Sequence, residues 1–87
     1  MKRDINFLFK FRGRTFRHFK CDNYLLIDIA EHTETGEILV LYKALYGQCK
    51  IYARPIEMFL SKVDRVKYPN VTQEYRLEPI ALSSVKE

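Results

Sequence analysis

At 87 residues and a formal net charge of +4, the chain fits one domain and leaves no room for a second. A hydrophobic fraction of 47%, with six Phe and six Tyr, belongs to a folding chain and excludes intrinsic disorder. Two cysteines, Cys21 and Cys49, are too few for the disulfide framework of a small secreted domain, and no run nears the ~20 apolar residues that cross a bilayer. The reducing cytoplasm is the expected setting, with both thiols free and no membrane contact.

The positive charge is concentrated at the start. Residues 1–20 hold Lys2, Arg3, Lys10, Arg12, Arg14, Arg17 and Lys20 against Asp4 alone, whereas the rest of the chain carries more carboxylates than cations. Such a segment is either a surface for a polyanion or a solvated face. Residues 1–14 read as a basic N-terminal arm or an added edge strand. Alternation through Phe7–Arg12 sets Phe7, Phe9 and Phe11 on one face and Leu8, Lys10 and Arg12 on the other. Cations beside aromatics are also the ingredients of a single-stranded nucleic-acid surface, here Lys10, Arg12, Arg14 and Arg17.

Thr15–Lys20 reads as a strand with Phe16, His18 and Lys20 on one face. Cys21-Asp22-Asn23 is turn chemistry, and Tyr24–Ala30 is the next apolar run. Glu31–Gly36 suits a hairpin loop, with Gly36 supplying a positive φ. In Glu37–Tyr46 one row is Ile38, Val40, Tyr42 and Ala44, and the other is Leu39, Leu41 and Leu45, interrupted by Lys43. A strand apolar on both faces is central or curled into a barrel. Cys49–Arg54 returns as a strand, and Pro55 opens a short helical turn over Pro55–Leu60. Ser61–Val66 is a candidate strand, Tyr68-Pro69-Asn70 a turn, and Tyr75–Ile80 a last strand whose Pro79 favours a sheet edge. These elements predict a mainly β fold. The expected architecture is a small SH3-like barrel of five to six short antiparallel strands with one short helical turn.

Four ordered runs carry a resemblance: Phe16-Arg17-His18-Phe19-Lys20, His32-Thr33-Glu34-Thr35, Val40-Leu41-Tyr42-Lys43-Ala44-Leu45-Tyr46-Gly47, and Tyr52-Ala53-Arg54-Pro55-Ile56-Glu57-Met58-Phe59. In order and spacing the chain resembles the bacterial domain-of-unknown-function family 1653 over residues 16–60, with 61–87 as C-terminal strands and tail. The resemblance implies a small β domain related to SH3-type barrels and no established activity. Cys21 stands where Gly is usual in the family, Glu31 where Arg commonly precedes the His, and Tyr52 where Trp is typical.

The polar and amphipathic members of those runs are His18, His32, Tyr42, Tyr46, Tyr52, Arg54 and Glu57. Alternation puts Tyr42 on a face with Ala44, and Tyr52 with Arg54. If those faces meet near the Glu31–Gly36 loop, tyrosines and a guanidinium flank one groove able to stack a base or clamp a carboxylate or phosphate. The alternative is structural: Arg54 pairs with Glu57 across Pro55, and the tyrosines fill the core. Either histidine has the pKa range of a general base, with Glu34 or Glu57 to orient it. No nucleophile elbow, phosphate loop or His-Glu-x-x-His helix accompanies them, so the sequence leans away from catalysis, a small hydrolase included, without deciding it. His18, Cys21, His32 and Cys49 lack the paired spacing of structural zinc sites, and no metal or other cofactor is expected. The expectation is a non-catalytic binding module for a small anionic molecule or a protein partner, with nucleic-acid binding through the basic arm as the alternative.

Overall fold

The structure, a computed structural model, describes residues 3–80. The expected tail over 81–87 lies outside them. The chain opens on a helix, α1 (Ile5–Lys10), followed by β1 (Thr15–His18), β2 (Asn23–Glu31), β3 (Ile38–Ala44), β4 (Ile51–Pro55), a short helix α2 (Ile56–Phe59) and β5 (Leu77–Pro79). The strands form one antiparallel sheet in the order β4-β3-β2-β1-β5. This is the mainly β fold with a short helix that the patterning predicts. In the pairings β4 and β5 are the two edges of the sheet. Pro79, which has no N–H to give a second neighbour, stands on one of those edges.

The N-terminal segment corrects the expectation of an edge strand. Asp4 caps a helix instead, its Oδ1 accepting from the backbone N–H of Asn6 at 3.0 Å and Phe7 at 3.2 Å. Helical spacing turns Phe7, Leu8 and Phe11 toward the core and leaves Phe9 and Lys10 outside, so the Phe/basic alternation of a strand does not exist. Arg3 ties this end to β5. It pairs with Glu78 and lies 3.9 Å from the Tyr75 ring centroid.

The core lies on one face of the sheet. Cross-strand pairs share a face, so the register aligns Phe16 with Tyr24, Leu26 with Tyr42 and Tyr52, and Ile29 with Val40 and Arg54. A bulge between Leu26 and Asp28 leaves Ile27 outside the ladder, which is how Leu26 and Ile29 come to face the same way. Phe59 from α2 and Phe7 and Leu8 from α1 complete the cluster with Phe16, Leu26, Val40, Tyr42 and Leu77. As its two apolar rows predict, β3 is internal, between β2 and β4.

Ser61–Val66 is not a strand; it contributes one isolated bridge, Lys62 to Tyr75. The reason is local. Asp64 Oδ1 accepts from the backbone N–H of Val66 and Lys67, and its carbonyl accepts from Tyr68, so the backbone bonds that a strand would need close a turn instead. No helix among the described residues is long and apolar enough to cross a membrane.

Candidate functional site

Tyr42 and Tyr52 are direct cross-strand partners, with ring centroids 5.7 Å apart. Arg54, two residues along β4, places its guanidinium carbon 5.9 Å from the Tyr42 centroid. Tyr42 is buried, with Phe59 of α2 5.5 Å from its ring, and Tyr52 is 43% exposed. The expected meeting of these faces is therefore present: a buried tyrosine forms the floor, and an exposed tyrosine and a half-buried cation stand beside it. Among the described residues Arg54 has no carboxylate partner; its expected pairing with Glu57 is not formed. Glu57 is exposed in the first turn of α2, where its charge complements the helix dipole.

The cluster continues toward the β1–β2 turn. Tyr24 lies 5.3 Å from Tyr42 and 5.6 Å from Tyr46, and the Tyr24 and Tyr46 hydroxyls share a hydrogen bond of 2.7 Å. Burial and that hydrogen bond raise the Tyr24 pKa well above the usual phenol, so it stays protonated. His18 lies 6.2 Å from Tyr24 and stacks on Phe19 at 4.5 Å. Its Nδ1 accepts from the backbone N–H of Lys20 at 3.1 Å, which leaves Nε2 to carry the proton of the neutral ring. Among the described residues Nε2 has no hydrogen-bond partner.

Burial first, then the charges of Arg54, Lys20 and Arg76, hold the His18 pKa below 6.5, with Asp22 opposing them. The folded protein thus binds fewer protons at His18 than the unfolded chain. Its contribution to stability is complete above the unfolded pKa near 6.5 and is lost as pH falls through the lower folded value. Arg54→Met, which keeps an apolar stem over Tyr42, should move the His18 midpoint upward in an NMR titration of the imidazole. Burial will still hold it below the ordinary value. An unmoved midpoint would show that the Arg54 charge is not felt there.

The other expected site residues lie elsewhere. His32 sits in the hairpin loop at the far end of β2, about nine strand residues or roughly 25 Å from the turn beside His18. The two histidines therefore share no reaction centre. His32 Nδ1 accepts the backbone N–H of Glu34 at 3.1 Å and of Thr35 at 3.4 Å. Gly36, at φ 73°, closes that loop by donating its N–H to the His32 carbonyl. His32 is thus loop architecture, and the Glu31–Gly36 loop does not join the tyrosines.

The basic arm is dispersed as well. Arg12 pairs with Asp28 at 3.3 Å and lies 5.2 Å from the Phe9 ring, while Lys10, Arg14 and Arg17 are exposed. Phe7, which was to supply a stacking face, is buried in the core.

The residues that the sequence did not single out are Tyr24, Phe19, Tyr68, Lys20, Lys67 and Arg76. Tyr68 lies 4.9 Å from Phe19, and the Lys20 ammonium is 5.9 Å from the Phe19 centroid and 5.7 Å from that of Tyr68. The one signal available was that Tyr24 and Leu26 alternate onto the same face; the approach of Tyr68 leaves no trace in any local pattern.

Among the described residues no enclosed pocket is present, so the aromatic and basic groups form an open surface. A crystal structure of a DUF1653 protein from Bordetella bronchiseptica is similar in fold. Its TM-score is 0.68 at 24% identity, and the alignment covers 91% of this chain and 99% of that one. No match was found among curated proteins. Residues 14–79, from the approach to β1 through the end of β5, match the family described as protein of unknown function (DUF1653), and the chain belongs to that family.

Proposed function

We propose that this protein is a non-catalytic binding module that holds an anionic ligand with a planar group on the Tyr42–Tyr52–Arg54–His18 surface. One observation carries the reading: a half-buried guanidinium lies against a tyrosine face with no carboxylate partner among the described residues. A buried or half-buried charge is ordinarily paired, because desolvation without a partner is costly. An arriving carboxylate or phosphate supplies the missing partner through a forked contact, and the exposed face of Tyr52 receives the planar part. The Nε2–H of His18 is a second donor. A cytoplasmic setting belongs to the same reading and is supported by the two free, exposed thiols of Cys21 and Cys49.

The test uses adenosine monophosphate and inorganic phosphate as probes, followed by NMR shifts of the Arg54 Nε–H, the His18 ring and the Tyr52 ring. Arg54→Met should weaken the nucleotide by roughly 10–100-fold, the worth of a charge-assisted contact. Arg54→Lys, which keeps the charge and loses the fork, should fall between the two. Equal affinity in all three proteins would defeat the reading.

A further inference from the structure

The aromatic groups do not stop at Arg54. Tyr52, Tyr42, Tyr24, His18, Phe19 and Tyr68 form an unbroken series of neighbouring rings, with successive centroids 5.7, 5.3, 6.2, 4.5 and 4.9 Å apart. Tyr42 is the buried member; the others reach solvent wholly or in part. Cations accompany the series from end to end. Arg54 lies over Tyr42, Lys20 lies near both Phe19 and Tyr68, and the Lys67 ammonium is 5.6 Å from the Tyr68 centroid. Arg76 is close enough to His18 to act on its charge. Asp22 opposes these cations at His18, Glu57 is exposed at the start of α2, and the Asp64 carboxylate is engaged with the backbone N–H of Val66 and Lys67.

We propose that the ligand is a single-stranded oligonucleotide laid along this series, its bases on the solvent-reaching rings between Tyr52 and Tyr68, with Tyr42 as the buried floor, and its phosphates on Arg54, Lys20 and Lys67. The inference rests on the reading of the Arg54 surface given above and extends it to a second subsite at Phe19–Tyr68. A lone small anion uses one cation and one ring and leaves the Tyr68 end without a purpose. An acidic peptide is drawn to the cations and has no use for a run of ring faces. A strand of unpaired bases uses both, because every base has a face to stack and every linkage carries a charge. A duplex does not qualify, since its bases are stacked on one another and unavailable to the rings.

The experiment measures fluorescence anisotropy of labelled mixed-sequence single-stranded RNA and DNA of about 12 nucleotides, inside the range one small β domain covers. Adenosine monophosphate and a polyglutamate peptide are the comparison ligands. Contacts from Arg54, Lys20 and Lys67 to phosphates predict that affinity falls about twentyfold between about 50 and 200 mM salt. The double change Lys20→Glu and Lys67→Glu should weaken the oligonucleotide at least about tenfold and leave the mononucleotide within about twofold. Tyr68→Leu, which keeps an apolar side chain and removes the ring, should cost the oligonucleotide about tenfold and leave the mononucleotide within about twofold. RNA and DNA bound with different affinity identify which strand is preferred; both are the proposed chemistry.

If the mononucleotide binds through Arg54 while the oligonucleotide gains nothing from its length or from Lys20 and Lys67, the extended site is refuted and the Arg54 reading stands. If neither nucleotide binds, both fall. Polyglutamate bound as tightly as the oligonucleotide would overturn the assignment to nucleic acid in favour of a general polyanion surface.

Discussion

Phe16→Ala is expected to destabilise the protein by about 3–5 kcal/mol, the range for removing a fully enclosed aromatic side chain. Phe16 is 1% exposed, and its ring meets Phe7 at 6.5 Å, Phe11 at 6.0 Å and Phe59 at 5.4 Å. It is therefore the side chain on which the sheet, the N-terminal helical segment and α2 all pack. Small domains hold only about 5–15 kcal/mol in total, so this loss leaves a protein near its folding threshold. At roughly 4–8 °C per kcal/mol for a domain of this size, the melting temperature should fall by at least about 12 °C. Circular dichroism with heat and urea reads both quantities. A fall under about 5 °C would mean that the neighbouring rings close the space, and that neither helix depends on Phe16 for its position.

Much of this arrangement is written in local pattern. The strands β1 to β4 are bounded by residues with their own turn chemistry, Asp22-Asn23 and Gly36 among them, and the two apolar rows of β3 already require an internal position. Pro55 marks the entry to α2 because its fixed φ suits the start of a helix and its missing N–H ends the ladder. Cys21 adopts φ 77°, in the left-handed region where glycine is unstrained. Its β-carbon therefore stands in a conformation that disfavours one. What could not be read was the competition for backbone groups at Asp64, where a side chain converts an apparent strand into a turn.

The site was legible only where chain order made the neighbours. Tyr42, Tyr52 and Arg54 lie on strands joined by a hairpin, so alternation alone brings them together. His18 and Tyr68 reach the same surface from β1 and from the segment after α2. Tyr68 meets Phe19 across a long stretch of chain, a contact that no local pattern contains. His32 and His18 both use Nδ1 to accept from the backbone two residues on, so nothing local tells that the His18 ring also meets the tyrosines and the His32 ring serves its loop. The electrostatics follow the same division. Arg54 influences His18 although 36 positions of sequence separate them, and no spacing rule contains that information.

The N-terminal segment offers the sharpest contrast between a strand and a helix, because the two place neighbouring residues oppositely. In a strand, Phe7, Phe9 and Phe11 share the inward face and Leu8 points to solvent. In α1, Leu8 is 0% exposed and Phe9 is 43% exposed. Leu8→Ala should therefore cost about 2.7–5 kcal/mol, the range for a leucine whose surroundings relax only in part. Phe9→Ala loses an exposed ring and its cation contact with Arg12, worth about 0.5–1 kcal/mol at such a site. Urea unfolding of the two variants side by side compares them directly. A Phe9 loss equal to or larger than the Leu8 loss would restore the strand and remove the cap at Asp4 from the fold. The expected order has a further consequence for the charge at this end of the chain. With α1 seated on Phe16, Lys10 is held on the outside of the helix and Arg14 is exposed in the link to β1. Lys10 is then a solvated charge on the helix surface, and the proposed oligonucleotide is left to meet the cations of the Tyr52–Tyr68 series.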